Sequence, residues 1–95
     1  MPDSPFPVVD NEIASQYELT MDGHTAFLRY IRMSGVIELQ HTEVPEPIGG
    51  RGIASALAKH ALDAARDSRV KVLATCPVVR AYLRKHAEYL PLLHH

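Results

Sequence analysis

The chain has 95 residues, of which 46% are hydrophobic; ten Lys or Arg face eleven Asp or Glu, for a formal net charge of −1. That length fits one small domain and excludes two. The near-neutral charge speaks against a dedicated nucleic-acid binder and against a basic membrane-surface helix, since both need a basic face.

One cysteine excludes an internal disulfide and fits a reducing, cytoplasmic compartment. No apolar run approaches the ~20 residues needed to cross a bilayer. The first seven residues have neither the basic nor the apolar region of a signal peptide. They hold three of the seven prolines. A flexible tail is therefore expected over residues 1–9, with one domain over 10–93. The terminal His94-His95 fits a native end or a tag remnant equally well.

Residues 16–44 read as an antiparallel meander. Tyr17, Leu19 and Met21 alternate with polar neighbours, as in a strand with one buried face. Asp22-Gly23 is a strong hairpin signal, leading to an apolar and aromatic strand over 25–33. Ser34-Gly35 turns the chain into a third strand over 36–44. Strict alternation there puts Ile37, Leu39, His41 and Glu43 on one face, and Glu38, Gln40 and Thr42 on the other. Pro45 and Pro47 end it.

The period then changes. Ile53, Ala54, Leu57, Ala58, Ala61, Leu62 and Ala65 form one helical stripe, closed by Asp67-Ser68. A short strand over 70–75 follows. Cys76-Pro77 opens a second helix, with Val78, Val79, Tyr82, Leu83 and His86 facing inward. Tyr89-Leu90 and Leu92-Leu93 read as a closing segment. The order β-β-β-α-β-α predicts an α/β domain with layered α+β character.

Chemistry concentrates where the third strand ends. Gly49-Gly50-Arg51-Gly52 leads into a helix whose first N–H groups lack internal partners. Those groups and the helix dipole favour an anion such as a phosphate. The same glycines also suit a tight turn with no ligand. No lysine follows them, which excludes a P-loop. Ser55 stands where the dinucleotide fingerprint needs its third glycine.

Cys76 lies at a strand end and a helix start, a position that favours thiolate; an inert buried thiol is the alternative. His41 and Glu43 suit a general base, or hydrogen bonds that fix the strand end. Tyr82 is a proton donor or a core tyrosine. His60 is expected on the helix surface, and His86 on the same helix face as Tyr82. The histidines and the cysteine show no zinc-type spacing, so no metal is expected.

Residues 49–57, Gly-Gly-Arg-Gly-Ile-Ala-Ser-Ala-Leu, resemble motif A of the GNAT acetyltransferase superfamily, Arg/Gln-x-x-Gly-x-Gly/Ala. Gly52 and Ala54 match its small positions, and Gly49 stands where Arg or Gln is usual. His41-Thr42-Glu43-Val44-Pro45 and Cys76-Pro77-Val78-Val79, with Tyr82, Lys85-His86 and Glu88-Tyr89, are similar to the small stand-alone GNAT-like proteins.

The resemblance covers roughly residues 10–93. It implies a shortened GNAT fold with a mixed, mostly antiparallel sheet, lacking the two helices that usually help form the acceptor site. It also implies that acetyl-CoA is the co-substrate, held by Val44, Gly49, Gly50, Arg51, Gly52, Ile53 and Ala54. Val44 would lie beside the thioester. Transfer to an amine would use Cys76, Tyr82, His41 and Glu43, either directly or through an acetylated Cys76. A non-catalytic CoA-binding or interaction module of the same fold is the other reading. In either case the expected partners are CoA and, for transfer, an amine on a small molecule or protein. No nucleic acid or membrane is expected, and the chain is expected to be a monomer or weak homodimer.

Overall fold

In the computed structural model, residues 7–94 are described. The expected flexibility of residues 1–6 lies outside them. Five strands form one sheet in the order β1-β2-β3-β4-β5. They are β1 (Val9–Asn11), β2 (Gln16–Met21), β3 (His24–Met33), β4 (Val36–Glu43) and β5 (Lys71–Ala74). The first four run antiparallel, and β5 lies parallel to β4. The β4–β5 crossover carries α1 (Ile53–Asp67); α2 (Pro77–Lys85) and a 3-10 segment, Ala87–Leu92, follow.

The layered α+β fold and the helical stripe are as expected, with one strand more at the front. Val9 begins β1, ahead of the anticipated domain start, and pairs with Glu18. Three residues carry little strand signal; side chains hold them instead. The Tyr30 hydroxyl donates to Asp10 at 2.5 Å, and Arg32 pairs with the same carboxylate at 3.2 Å. Burial, then the Asp10 acceptor, pushes the Tyr30 hydroxyl up to about 12, so it stays a donor.

Both helices cover one face of the sheet. Leu19, Leu28, Ile37, Leu39 and Val72 meet Leu57, Leu62 and Val79, all fully buried. The α1 stripe works because alanines at 56, 58, 61 and 65 let the helix sit close to the strands. Of the α2 stripe, Val79 and Leu83 are buried, while Val78, Tyr82 and His86 are half-buried. In the closing segment Tyr89 is buried, but Leu90 remains exposed. His60 is half-buried, edge-on to Tyr17 at 5.2 Å, rather than on the surface.

The consequential departure is a β-bulge. Tyr30 pairs with Leu39, but Arg29 pairs with His41, so Gln40 is an extra residue. One inserted residue exchanges the faces of everything after it. Thr42, opposite buried Leu28, now faces the helices. His41 and Glu43 pair with Arg29 and Phe27 and turn to the open face, not to the face of Ile37 and Leu39.

The Asp63 carboxylate joins α1 to the C-terminal segment. It accepts from the Tyr89 hydroxyl at 2.6 Å and from the Lys59 ammonium at 2.9 Å, and pairs with Arg66 at 3.1 Å. Burial acts to raise its pKa. The Tyr89 and Lys59 hydrogen bonds and the nearby cations outweigh burial and hold it below the ordinary 3.8. Its contribution is therefore present above that value and lost as pH falls through the lower folded one. Asp63→Asn is expected to lose about 1–3 kcal/mol at neutral pH. Below pH ~4 its urea midpoint will fall less steeply than that of the wild type.

Candidate functional site

The site grows from the point where β4 and β5 part. Their parallel pairing ends at Leu39 with Ala74. There the Leu39 carbonyl accepts from the N–H groups of Thr75 and Cys76, at 3.1 and 2.9 Å, and from the Thr75 hydroxyl at 3.3 Å. That knot ends the ladder. Beyond it β4 continues to Glu43, while the other chain turns into α2 at Pro77. The same hydroxyl hydrogen is shared with Glu38 Oε2, the nearer acceptor at 3.0 Å, on the open side.

On the helix side of the parting, Thr42 Oγ1 lies 3.2 Å from Cys76 Sγ. Cys76 is 1% exposed. Thr42 was not legible as a site residue, because simple alternation puts it on the wrong face; only the bulge turns it toward Cys76. On the open side His41 Nε2 and Glu43 Oε2 are 3.1 Å apart, each more than half exposed. Phe27 lies 6.2 Å from the His41 ring. The sheet thus separates Cys76 from His41 and Glu43.

After β4, half-buried Val44 packs against the core and a 3-10 turn spans Glu46–Ile48. Gly49 has φ −68°, and its N–H donates to Glu46 O, so it serves the turn. Gly50 and Gly52 have φ +75° and +77°, and a Cβ on either would meet nothing within 4 Å. The backbone here is left-handed and its surroundings are open. Gly52 caps α1, with no side-chain cap bond and no acidic residue in the first turn. The N–H groups of Ile53, Ala54 and Ser55 belong to the first helical turn, which has no internal acceptors. This open, uncapped end fits an anion such as a phosphate. Ile53 is buried and contributes only its backbone there; Ala54 is half-buried.

Arg51 plays another part. Its guanidinium pairs with Asp22 at 2.9 Å and lies 3.2 Å from Met21 Sδ, bracing the β2–β3 turn. The basic residues of α2, Arg80, Arg84 and Lys85, face two different places. Lys85 lines a 210 Å³ cleft with Ser55, Val78, Tyr82 and His86, beside the first turn of α1, whereas Arg80 and Arg84 line a separate groove at the β5 edge.

Tyr82 stacks on His86, with ring centroids 4.0 Å apart and planes at 19°. Burial raises its pKa; the Lys59 charge opposes this, and those of Asp63 and Glu88 add to it, so the hydroxyl keeps its proton. Among the described residues, no three His, Cys, Asp or Glu side chains gather into a set able to hold a metal.

A parallel strand pair that parts beside an uncapped, glycine-led helix is the frame of an acetyltransferase-type domain. A model of the GCN5-related N-acetyl-transferases matches residues 16–92, and the chain belongs to this family. It is 43% identical over 51 residues to Protein NATD1 of Gallus gallus and of Mus musculus, covering 54% of this chain and 46% of each of those. Protein NATD1 of Danio rerio is 39% identical over 61 residues, 62% of this chain and 56% of that one. The chain spans about half the length of these curated relatives. The NMR structure of a GCN5-like candidate N-acetyltransferase from Staphylococcus aureus matches with a TM-score of 0.70. It does so at 23% identity, over 96% of this chain and 90% of that one, a likeness of fold.

Replacing Gly52 by alanine forces a left-handed φ on a residue with a Cβ, without a clash. Gly52→Ala is expected to stay folded but lose about 1–2 kcal/mol, measured by urea unfolding.

Proposed function

We propose that the protein is an acetyl-CoA-dependent N-acetyltransferase that passes the acetyl group directly to an amine. The observation that carries this reading is the parting of β4 from β5 at Leu39, next to the uncapped start of α1. The fit to acetyl-CoA rests on the open, left-handed backbone at Gly50 and Gly52.

The backbone around Gly50 to Ala54 would hold the pyrophosphate, and the parted strands near Val44 the pantetheine end. Acetyl-CoA supplies an acetyl group activated as a thioester. An amine reaching the parting from the open face meets His41, which takes its proton, with Glu43 orienting the ring and balancing the charge. Tyr82 lines the helix-side cleft with its proton retained, and so serves as the donor on the cofactor side.

Direct transfer is favoured over a Cys76 relay by accessibility. A thiol 1% exposed and held against Thr42 presents no surface to an acceptor on the far side of the sheet. The uncovered acceptor face also suits a CoA-binding module without turnover, and amine-dependent CoA release separates the two. In the cell we place the chain in the cytoplasm, as a monomer or weak homodimer.

The test is CoA release from acetyl-CoA across a panel of primary amines. His41→Gln is expected to lower kcat about 10²-fold with acetyl-CoA affinity unchanged. Cys76→Ser will keep turnover within a few-fold of wild type, and the wild type will carry no thiol-borne acetyl group by intact mass. A stable acetyl adduct on Cys76 whose loss abolishes turnover would establish the relay instead.

A further inference from the structure

On the open face of the sheet, His41 has a cross-strand partner that the proposed reaction leaves idle. Arg29 pairs with His41 in the β3–β4 register. Residues directly opposite in an antiparallel pair hold their Cβ atoms about 5 Å apart. The Arg29 guanidinium stands 5.0 Å from the centroid of the Phe27 ring, and the His41 ring is centred 6.2 Å from the same ring. Base and cation thus share one aromatic neighbour. Arg29 has no carboxylate partner in an ion pair among the described residues. Its side chain donates to the neutral Gln16 amide oxygen at 3.5 Å. Glu18, near it on β2, accepts instead from Gln16 at 2.6 Å and from Asn11 at 3.0 Å.

The bulge adds a concavity beside them. A cleft of 500 Å³ lies at the extra residue, lined by Gln40, Arg29 and Ile31, with Arg32 and Glu12 further out. It meets the proposed acceptor face at two residues: Gln40, which precedes His41, and Arg29, which opposes it. Arg32 is held by Asp10 at 3.2 Å, so Arg29 is the cation left to meet a ligand. Glu12 belongs to the β1–β2 turn, on the far side of β2 and β3 from His41 in the order of the sheet. The end of the cleft beside His41 is therefore the cationic one.

We propose, resting on the acetyl-transfer reading above, that the acceptor amine carries a carboxylate, which Arg29 holds while His41 takes the amine proton. A guanidinium offers a carboxylate two parallel N–H donors, which fix its orientation as well as its place. Fixing that end of the acceptor aims the amine at the parting of β4 and β5. Cation and base stand on neighbouring strands ~5 Å apart, so the acceptor is an amino acid with a short stem between its two charges. In the step itself the amine nitrogen bonds the acetyl carbon and the thioester C–S bond breaks. His41 takes the amine proton, CoA leaves as its thiol, and the carboxylate is unchanged. Arg29 is thus a specificity-determining residue, and its loss is read in KM more than in kcat.

The test compares CoA release by the full chain with γ-aminobutyrate and with its uncharged amide, γ-aminobutyramide. The expected kcat/KM is about tenfold higher for the carboxylate, with the difference carried by KM. In Arg29→Gln the two amines should become nearly equal, and Arg29→Lys should restore part of the preference. The amide spectrum of Arg29→Gln away from the cleft reports that its fold is intact. The product, N-acetyl-γ-aminobutyrate, gives a readout without turnover: saturable NMR shifts at Arg29, Gln40 and His41, with binding about tenfold weaker in Arg29→Gln. Equal kcat/KM for the two amines in the wild type, or a preference that Arg29→Gln leaves unchanged, would overturn the proposal while the transfer reading stands. No CoA release with any amine would overturn both.

Discussion

The Leu39 carbonyl holds the architecture of the site together. Three donors converge on it: two backbone N–H groups and the Thr75 hydroxyl. A strand pair normally continues by giving each carbonyl one ladder partner. Here Thr75 and Cys76 spend consecutive N–H groups on the same acceptor, which commits the chain to turn away. Everything functional in this reading follows from that turn. β4 runs on paired only with β3, α2 starts over the parting, and the fully buried Leu39 anchors both against the core.

The bulge at Gln40 is the second half of the same device. It falls one residue past the knot and exchanges the two faces of β4. Without it, His41 and Glu43 would point into the helices, where two polar side chains would be desolvated among apolar residues. Thr42 would face solvent instead of Cys76. With it, a polar pair sits on the open face, and a hydroxyl and thiol close the helix side. The two sides of the parting thus acquire different chemistry from three consecutive residues.

Much of this was legible in the sequence, and for physical reasons. Helix α1 announces itself because its alanine and leucine spacing serves packing alone, and the glycines at its start mark left-handed backbone. The hairpin at Asp22-Gly23 is legible because its backbone conformation restricts the residues that suit it. Strand β1 was not legible, since a bond from Tyr30, twenty residues away, secures it. The bulge was not legible either: nothing in Leu-Gln-His-Thr departs from alternation, and the extra residue shows only against the partner strand. Arg51 misled for a related reason, because its position among the glycines suggests phosphate while its side chain reaches back to Asp22.

The central claim is that the parted strands and the start of α1 form one acetyl-CoA site. Backbone amide NMR with increasing acetyl-CoA tests it most directly. The account predicts saturable shifts at Thr42 to Val44, Gly50 to Ser55 and Thr75 to Cys76, with the β1–β2 edge unmoved. No shift in these three segments at millimolar acetyl-CoA, or shifts confined to another face, would contradict it.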